Sequence, residues 1–439
     1  MDISHLIDPL NDRQREAVSA ESGHILVLAG AGSGKTRVLT HRIAWVCEVV
    51  GLSPFSVLAV TFTNKAANEM RSRVEELLGI SASAMWVGTF HGLAHRMLRL
   101  HHEAAGLPQG FQILDSDDQL RMVKRVVRQL DLDEARWPPK QAQWYINHNK
   151  DEGLRPPHID AGQDPVQQQL LEVYRQYEEH CRRAGVVDFA ELLLRTLELI
   201  RDNDDLRAHY QRRFQHILVD EFQDTNSIQY AWLRLMAGSE TPVFVVGDDD
   251  QSIYGWRGAK IENIHHFEQD FANTQVIRLE QNYRSTGTIL KAANALIDHN
   301  RDRLGKELWT DSDAGEPILY YSAYNEKDEA RFVIDRIENW VTQGRSREEI
   351  AVLYRSNAQS RQFEEALITR GIPYRVYGGL RFFERAEIKD ALAYLRMISS
   401  PSADQAFERS VNNPPRGIGQ KTIDEIRRHA RDERVSLWS

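Results

Sequence analysis

Short apolar runs and helix-spaced apolar stripes alternate along this chain, and their order predicts its architecture. The runs "HILVLAG" (24–30), "SVLAVTF" (56–62), "MWVGTF" (85–90), "HILVDEF" (216–222) and "PVFVVGD" (242–248) are short, apolar and β-compatible. They read as strands of a buried parallel sheet. Between 92 and 213 strand-like runs almost vanish. Helical patterns such as "QLRMVKRVVRQL" (119–130), "QQQLLEVYRQYEEHCRRAG" (167–185) and "FAELLLRTLELI" (189–200) fill that interval. A helical insertion in one loop of the sheet accounts for both features. After "QVIRLEQNYRS" (275–285) a second α/β unit is expected, with candidate strands at 318–324, 349–355 and 374–378, and from Arg381 onward the chain reads helical.

Composition narrows the class without naming a function. The 439 residues are 41% hydrophobic and 27% charged, ordinary for a globular chain of several domains. Cys47 and Cys181 are the two cysteines, and neither belongs to a CxxC or Cys/His cluster, so neither a disulfide framework nor zinc is indicated. The N-terminus lacks a basic-then-apolar leader and no run approaches about 18 apolar residues, which argues against export and membrane insertion and for a cytoplasmic protein. The net charge of −9 argues against coating nucleic acid by bulk charge, although a local basic groove can coexist with it.

Chemistry enters at "LAGAGSGKT" (28–36), where small residues separate a strand-like run from a helix-like one. Ala29, Gly30, Ala31, Gly32, Ser33 and Gly34 form a Walker A loop whose backbone N–H groups, at a helix N-terminus, suit a phosphate chain. Lys35 can reach the outer phosphates and the Thr36 hydroxyl can meet Mg²⁺. In "ILVDEFQD" (217–224) two carboxylates end an apolar strand: Asp220 is placed to hold Mg²⁺ beside Thr36, and Glu221 to activate a water. "VVGDDDQSIYGWRGA" (245–259) sets Gln251, a γ-phosphate sensor candidate, beside Tyr254, Trp256 and Arg257, whose flat faces suit unpaired bases.

Further motifs bring these together. "LNDRQREAV", "TFTNKAANEMRSR" (61–73), "GTFHGLAHRMLR" (88–99), "VDFAELL" (187–193), "LEQNYRS" (279–285) and "VLYRSNAQSR" (352–361) occur in the order and spacing of the UvrD/Rep/PcrA group of superfamily 1 DNA helicases, which the chain resembles from Gln14 to Arg361. The resemblance implies an α/β P-loop motor: a RecA-like ATPase domain (1–90 and 214–280), a helical insertion (91–213), an incomplete second RecA-like domain (281–377) and the start of a helical subdomain (378–439). It implies an ATP- and Mg²⁺-dependent 3′→5′ single-strand translocase of nucleotide-excision and mismatch repair. Single-stranded DNA, single/double-strand junctions and repair proteins would be its partners.

On matching positions, the resemblance implies that Gln14 reads adenine, Arg37 and Tyr283 sandwich it, and Arg284 is an arginine finger. Phe62, Asn64, His91, Phe189, Tyr254, Trp256, Arg257 and Arg355 would contact single-stranded DNA. "NPPRGIGQKTIDEIRRHA" (413–430) resembles a helix–hairpin–helix element, with Gly417, Gly419, Lys421 and Thr422 near a duplex phosphate. The family's fifth and sixth motifs find no match between Arg361 and Ser439, so the chain is expected to be an N-terminal portion whose own activity is open. Two other classes remain: a signalling or transport P-loop ATPase, and a non-catalytic ATP- and DNA-binding protein.

Overall fold

The computed structural model describes residues 3–301, 303–377, 386–433 and 435–439. Contacts divide the chain into two compact units, 1–318 and 319–439. The expected boundary at 280 is not where this division falls, because residues 281–318 fold with the first unit.

The first unit is built on six parallel strands. They are β1 (Ile25–Ala29), β2 (Val57–Thr61), β3 (Trp86–Thr89), β6 (His216–Val219), β7 (Val243–Gly247) and β8 (Gln275–Leu279), in the order β3-β2-β6-β7-β1-β8. Two-residue strands β4 (Gln112–Ile113) and β5 (Val186–Val187) pair separately, in parallel. Alternate residues serve opposite faces of the main sheet, as the two-residue period of a strand requires. Leu26, Leu28, Val60, Val219 and Val245 enter one buried cluster, and Ile25, Val27, Ala59, Leu218 and Val246 enter another. Both faces are therefore covered, which is why the strands read as continuous apolar runs rather than alternating ones.

Helices α1 (Ser4–Ile7) and α2 (Asp12–Ser19) precede β1, α3 (Lys35–Glu48) and α4 (Asn64–Leu78) follow β1 and β2, and α5 (Phe90–Leu100) follows β3. The insertion holds α6 (Ser116–Gln129), α7 (Pro139–Asp151), α8 (Pro165–Ala184), α9 (Phe189–Asp202) and α10 (Asp204–Arg213). Its helices do not share one core. Leu93, Met97, Leu193, Leu197 and Tyr210 of α5, α9 and α10 belong to the sheet's own cluster. Met122, Val126, Ile146, Tyr174 and Tyr177 of α6, α7 and α8 form a separate one. Helices α11 (Ser227–Ala237), α12 (Glu262–Asp270) and α13 (Gly287–Ile297) complete the unit.

A buried charge network joins the two cores. Lys150 on α7 pairs with Asp188 at 2.8 Å and Glu191 at 2.9 Å. Arg155 meets Glu191 at 2.8 Å and Glu198 at 2.6 Å, and Tyr177 donates to Asp188 at 2.7 Å. Opposite charges hold the Glu191 carboxyl well below its ordinary range despite its burial.

In the second unit, α14 (Glu326–Thr342) and α15 (Ser360–Thr369) share a small cluster of Ile334, Ile337 and Leu367. Helices α16 (Ala386–Ser399), α17 (Asp404–Ser410) and α18 (Gln420–Glu433) follow. The strands expected at 318–324, 349–355 and 374–378 are not formed among the described residues. The physical reason is visible in their exposure: Tyr320 is 91%, Tyr324 97% and Leu353 93% exposed, and a strand needs a hydrogen-bonded neighbour and a covered face. The 378–385 stretch, where the helical reading begins, lies outside the described residues.

Replacing Lys150 with Met leaves the Asp188 carboxylate buried without its cation, while Arg155 and Arg195 still serve Glu191. The expected loss is about 3–5 kcal/mol of unfolding free energy, read from urea denaturation. A change below about 1 kcal/mol would show that Asp188 is effectively solvated.

Candidate active site and nucleic-acid interface

Strand order creates the site. β1 lies between β7 and β8, yet the chain leaves β1 for β2 on the far side of β6 and β7, so a crevice opens beyond the C-terminal strand ends. The loop from Gly30 to Gly34 sits at that crevice and ends at the first turn of α3. Gly34 precedes the helix at φ 88°, and Gly32 has φ 69°. A side chain at Gly32 would also collide, since its Cβ would lie 2.5 Å from Asn282 Nδ2 and 2.8 Å from Arg284 Cβ. Close backbone approach is thus the reason for the missing side chains, and part of what approaches is the 282–284 segment. Asn282 Nδ2 donates to Ala31 O at 2.6 Å, and Tyr283 N to Gly32 O at 2.9 Å. Ser33 Oγ closes the loop on Gly30 O at 2.8 Å.

Helix α2 is tied to the same loop. Asn11 and Gln14 form a reciprocal capping box, and Gln14 Nε2 donates to Ser33 O at 2.8 Å. Buried Arg42 of α3 donates to the carbonyls of Val18 at 2.9 Å and Ala20 at 2.6 Å, satisfying the end of α2. Asn11 Nδ2 also donates to the Tyr283 hydroxyl at 2.5 Å. Tyr283 is half exposed, and Arg37 is exposed with a long bond to Pro9 O at 3.4 Å, so both lie at the rim.

Beneath the loop, Lys35 Nζ is buried without a hydrogen bond. Its neighbours are Glu221 Oε2 at 3.3 Å, an ion pair whose alignment falls short of a hydrogen bond, and Asp248 Oδ2 at 3.9 Å. A buried ammonium without a hydrogen bond, at the start of a helix, fits an anionic phosphate chain. Asp220 ends β6 as a buried carboxyl pushed up to about 7, first by burial and then by Glu221. A divalent cation would favour its charged form, so Asp220 with Thr36 suits Mg²⁺. Glu221 has φ 49°, a left-handed conformation uncommon outside glycine, and its carboxylate accepts from Gln223 Nε2 at 2.8 Å. Gln251 donates to Asp248 Oδ2. Arg284 is exposed, with its N–H donating to Asn282 Oδ1 at 2.8 Å.

A second site opens beside the first. Phe62, His91, Phe189, Tyr254 and Arg257 line one cavity of about 430 Å³, together with polar residues including Gln119 and Asn147. Phe62 and Tyr254 stack with ring centroids 5.4 Å apart, and His91 and Phe189 meet edge to face at 6.1 Å. Burial pushes His91 down to about 4, so it faces the cavity neutral near pH 7. Arg257 lies 4.7 Å over the ring of Trp256, which is 73% exposed just outside the lining. Asn64 is exposed at the start of α4 and does not line the cavity.

Arg355, Gly417, Gly419 and Thr422 belong to the second unit. Arg355 is exposed, with its N–H bonded to Gln359 Oε1 at 2.9 Å. Gly417 has φ 72° in the turn before α18, and Thr422 lies in that helix's first turn. Sequence reasoning missed Asn282, Gln223 and Asp248, all of which sit inside motifs already singled out. It also missed Lys306, which pairs with Asp248, Asp249 and Asp250 and carries no local sequence signal.

Fold and crevice define a P-loop α/β nucleotide-binding protein with an aromatic-lined groove alongside. Residues 10–272 match the UvrD/REP helicase N-terminal domain, and residues 277–438 the UvrD-like helicase C-terminal domain. The chain belongs to the UvrD-like helicase family. It is 62% identical to DNA helicase II of Escherichia coli K12 over 438 residues, which is 100% of this chain and 61% of that protein. DNA helicase II of Haemophilus influenzae is 58% identical, covering 100% of this chain and 61% of the relative. ATP-dependent DNA helicase PcrA of Leuconostoc citreum is 44% identical, covering 99% and 59%. The chain therefore spans about 61% of the length of the DNA helicase II relatives.

Gly32→Ala tests the close approach directly. A left-handed alanine costs about 1–2 kcal/mol, and the clash with Asn282 adds to it, so chemical denaturation should show a loss at least that large. An unchanged midpoint would mean that the loop and the 282–284 segment do not pack this closely.

Proposed function

We propose that this chain is the ATP-hydrolysing, DNA-gripping portion of a DNA helicase that moves 3′→5′ along single-stranded DNA in nucleotide-excision and mismatch repair. The observation that carries the reading is the 248–257 segment after β7. It holds Asp248 3.9 Å from Lys35, with Gln251 bonded to Asp248, and sets Tyr254 and Arg257 in the aromatic cavity, within one short stretch of backbone. The kinship to DNA helicase II and PcrA supports the same reading.

In this proposal the loop N–H groups and Lys35 bind the ATP phosphates, while Gln14, Arg37 and Tyr283 surround the base. Thr36 and Asp220 would hold Mg²⁺, which would neutralise phosphate charge when bound. Glu221 takes a proton from water as the water oxygen attacks the γ-phosphorus and the bond to the β–γ bridging oxygen breaks, releasing ADP. Arg284 and Gln251 stabilise charge on the transferring group. Phe62, His91, Phe189, Tyr254 and Trp256 stack on or flank unpaired bases, with Asn64 and Arg257 beside the strand, and Arg355 of the second unit is a further contact to single-stranded DNA. The turn at Gly417 and Gly419, with Lys421 and Thr422, meets a duplex phosphate. The groove's flat aromatic faces favour recognition without sequence preference, because stacking is indifferent to base identity.

Lys35→Ala should weaken binding of a fluorescent ATP analogue. Glu221→Gln should retain binding while turnover falls by about 10²–10⁴-fold. Equal loss of binding in both would contradict these roles, and turnover that oligonucleotides never stimulate would count against a DNA motor.

Trp256→Ala should weaken single-strand binding by about 1–3 kcal/mol. The salt dependence, about −0.7 in log–log slope per neutralised phosphate, should stay nearly unchanged. A large change in slope with little loss of affinity would assign Trp256 no stacking role.

A further inference from the structure

Three consecutive aspartates follow β7, and the ammonium of Lys306 lies among them. Its Nζ is 2.8 Å from Asp248 Oδ1 and 3.0 Å from Asp250 Oδ2, and also contacts Asp249 Oδ1. The segment that delivers it is anchored at several points. Arg303 grips Asp250 with two bonds of 2.7 and 3.0 Å and donates to Lys306 O at 2.8 Å. Leu304 N donates to Asp249 Oδ2 at 2.9 Å. Lys306 is 8% exposed, so a long charged side chain is here drawn almost wholly inside. The three carboxylates offer ligand oxygens within 4.8 Å of one another, but the ammonium already supplies their counter-charge.

Asp248 is the member that matters for the nucleotide. Its Oδ1 takes Lys306 and, at 3.2 Å, the N–H of Asp250, while its Oδ2 takes the Gln251 amide. That same Oδ2 stands 3.9 Å from Lys35 Nζ, too far for a hydrogen bond, and Lys35 Nζ is left buried without one. A buried carboxylate this close to a buried ammonium would ordinarily close the gap, because a tight pair is worth far more in a low-dielectric site than a loose one. Asp248 is instead satisfied by Lys306 and the Asp250 N–H at Oδ1 and by Gln251 at Oδ2.

We infer that Lys306 is a positioning residue of the nucleotide site: it holds the Asp248 carboxylate off Lys35, so that the phosphate-loop ammonium is left for the phosphates of ATP. The inference rests on the proposed nucleotide site and adds the residue that keeps it receptive. Without Lys306, Asp248 turns to Lys35 as the next cation within reach, and a phosphate must then displace a second internal carboxylate besides Glu221, which stands 3.3 Å from Lys35.

The test uses the whole chain and a fluorescent ATP analogue, with thermal unfolding followed in parallel. Lys306→Met is expected to weaken binding about tenfold or more, the effect of roughly 1.4 kcal/mol, and Lys306→Arg to bind close to the unmodified chain. Adding Asp248→Asn to Lys306→Met should restore binding, since the competitor for Lys35 is then uncharged. Recovery of a native-like melt without recovery of binding would overturn the inference, because it would make Lys306 a matter of fold alone. Unaltered binding by a folded Lys306→Met would overturn it as well. If Lys306→Met does not fold, Asp248→Asn alone decides: binding at least as tight as the unmodified chain is expected, and weaker binding overturns the inference. Failure of the unmodified chain to bind the analogue would instead remove the nucleotide reading on which the inference rests.

Discussion

The placement of β1 between β7 and β8 is the constraint on which the rest depends. Hydrogen bonding on both sides, with Ile25 opposite Phe244 and Gln275, fixes where the chain emerges above the sheet. From that point the phosphate loop has one direction to run, into α3, and the ends of β6 and β7 bring Asp220, Glu221 and Asp248 alongside. No loop residue has to search for its partners. The ladder places them, and Asn282 and Gln14 then hold the loop from two further elements.

Electrostatics at this edge is a matter of deliberate imbalance. In the insertion, Arg155 is closely matched among Glu178, Glu191 and Glu198, whereas buried Arg42 of α3 is met by backbone carbonyls and Asp151 is pushed up to about 7 by burial. At the crevice the matching is incomplete: Lys35 lacks a hydrogen bond, Asp220 is pushed up to about 7, and Asp224 to about 6 by burial and by Glu221. Burying unsatisfied groups costs stability, and sites that act on ligands are where proteins bear that cost.

Much of this was legible in the sequence, for a physical reason in each case. The strands of the main sheet are legible because a strand buried on both faces must be apolar throughout, and the phosphate loop because only small residues tolerate such close backbone contact. The 318–324, 349–355 and 374–378 runs carry the same apolar signal, yet no ladder forms there among the described residues, since pairing is a property of neighbours rather than of one segment. The division of the insertion between two cores was equally hidden, because the helical periodicity of α9 does not say which sheet or helix its apolar stripe will meet. Lys306 was beyond reach for a similar reason. Its partners lie more than fifty positions earlier, and an isolated lysine in a loop looks like any solvated one.

Asp188 shows how such long-range placement ties dynamics to recognition. Its one carboxylate accepts from Lys150, from Tyr177 and, at 2.7 Å, from the N–H of Glu191, where it caps α9 at the residue before Phe189. A local opening of the α6–α8 core that frees Lys150 therefore leaves the Asp188 carboxylate, whose other oxygen caps α9, without its cation next to the residue that seats the groove's aromatic ring. Sharing this carboxylate couples the two elements, as contacts within one cooperative unit do. Amide protons of α7 and of the first turn of α9 should accordingly exchange with solvent together, and because Gln119 of α6 and Asn147 of α7 also line the groove, whatever orders the groove should slow exchange in these helices as well.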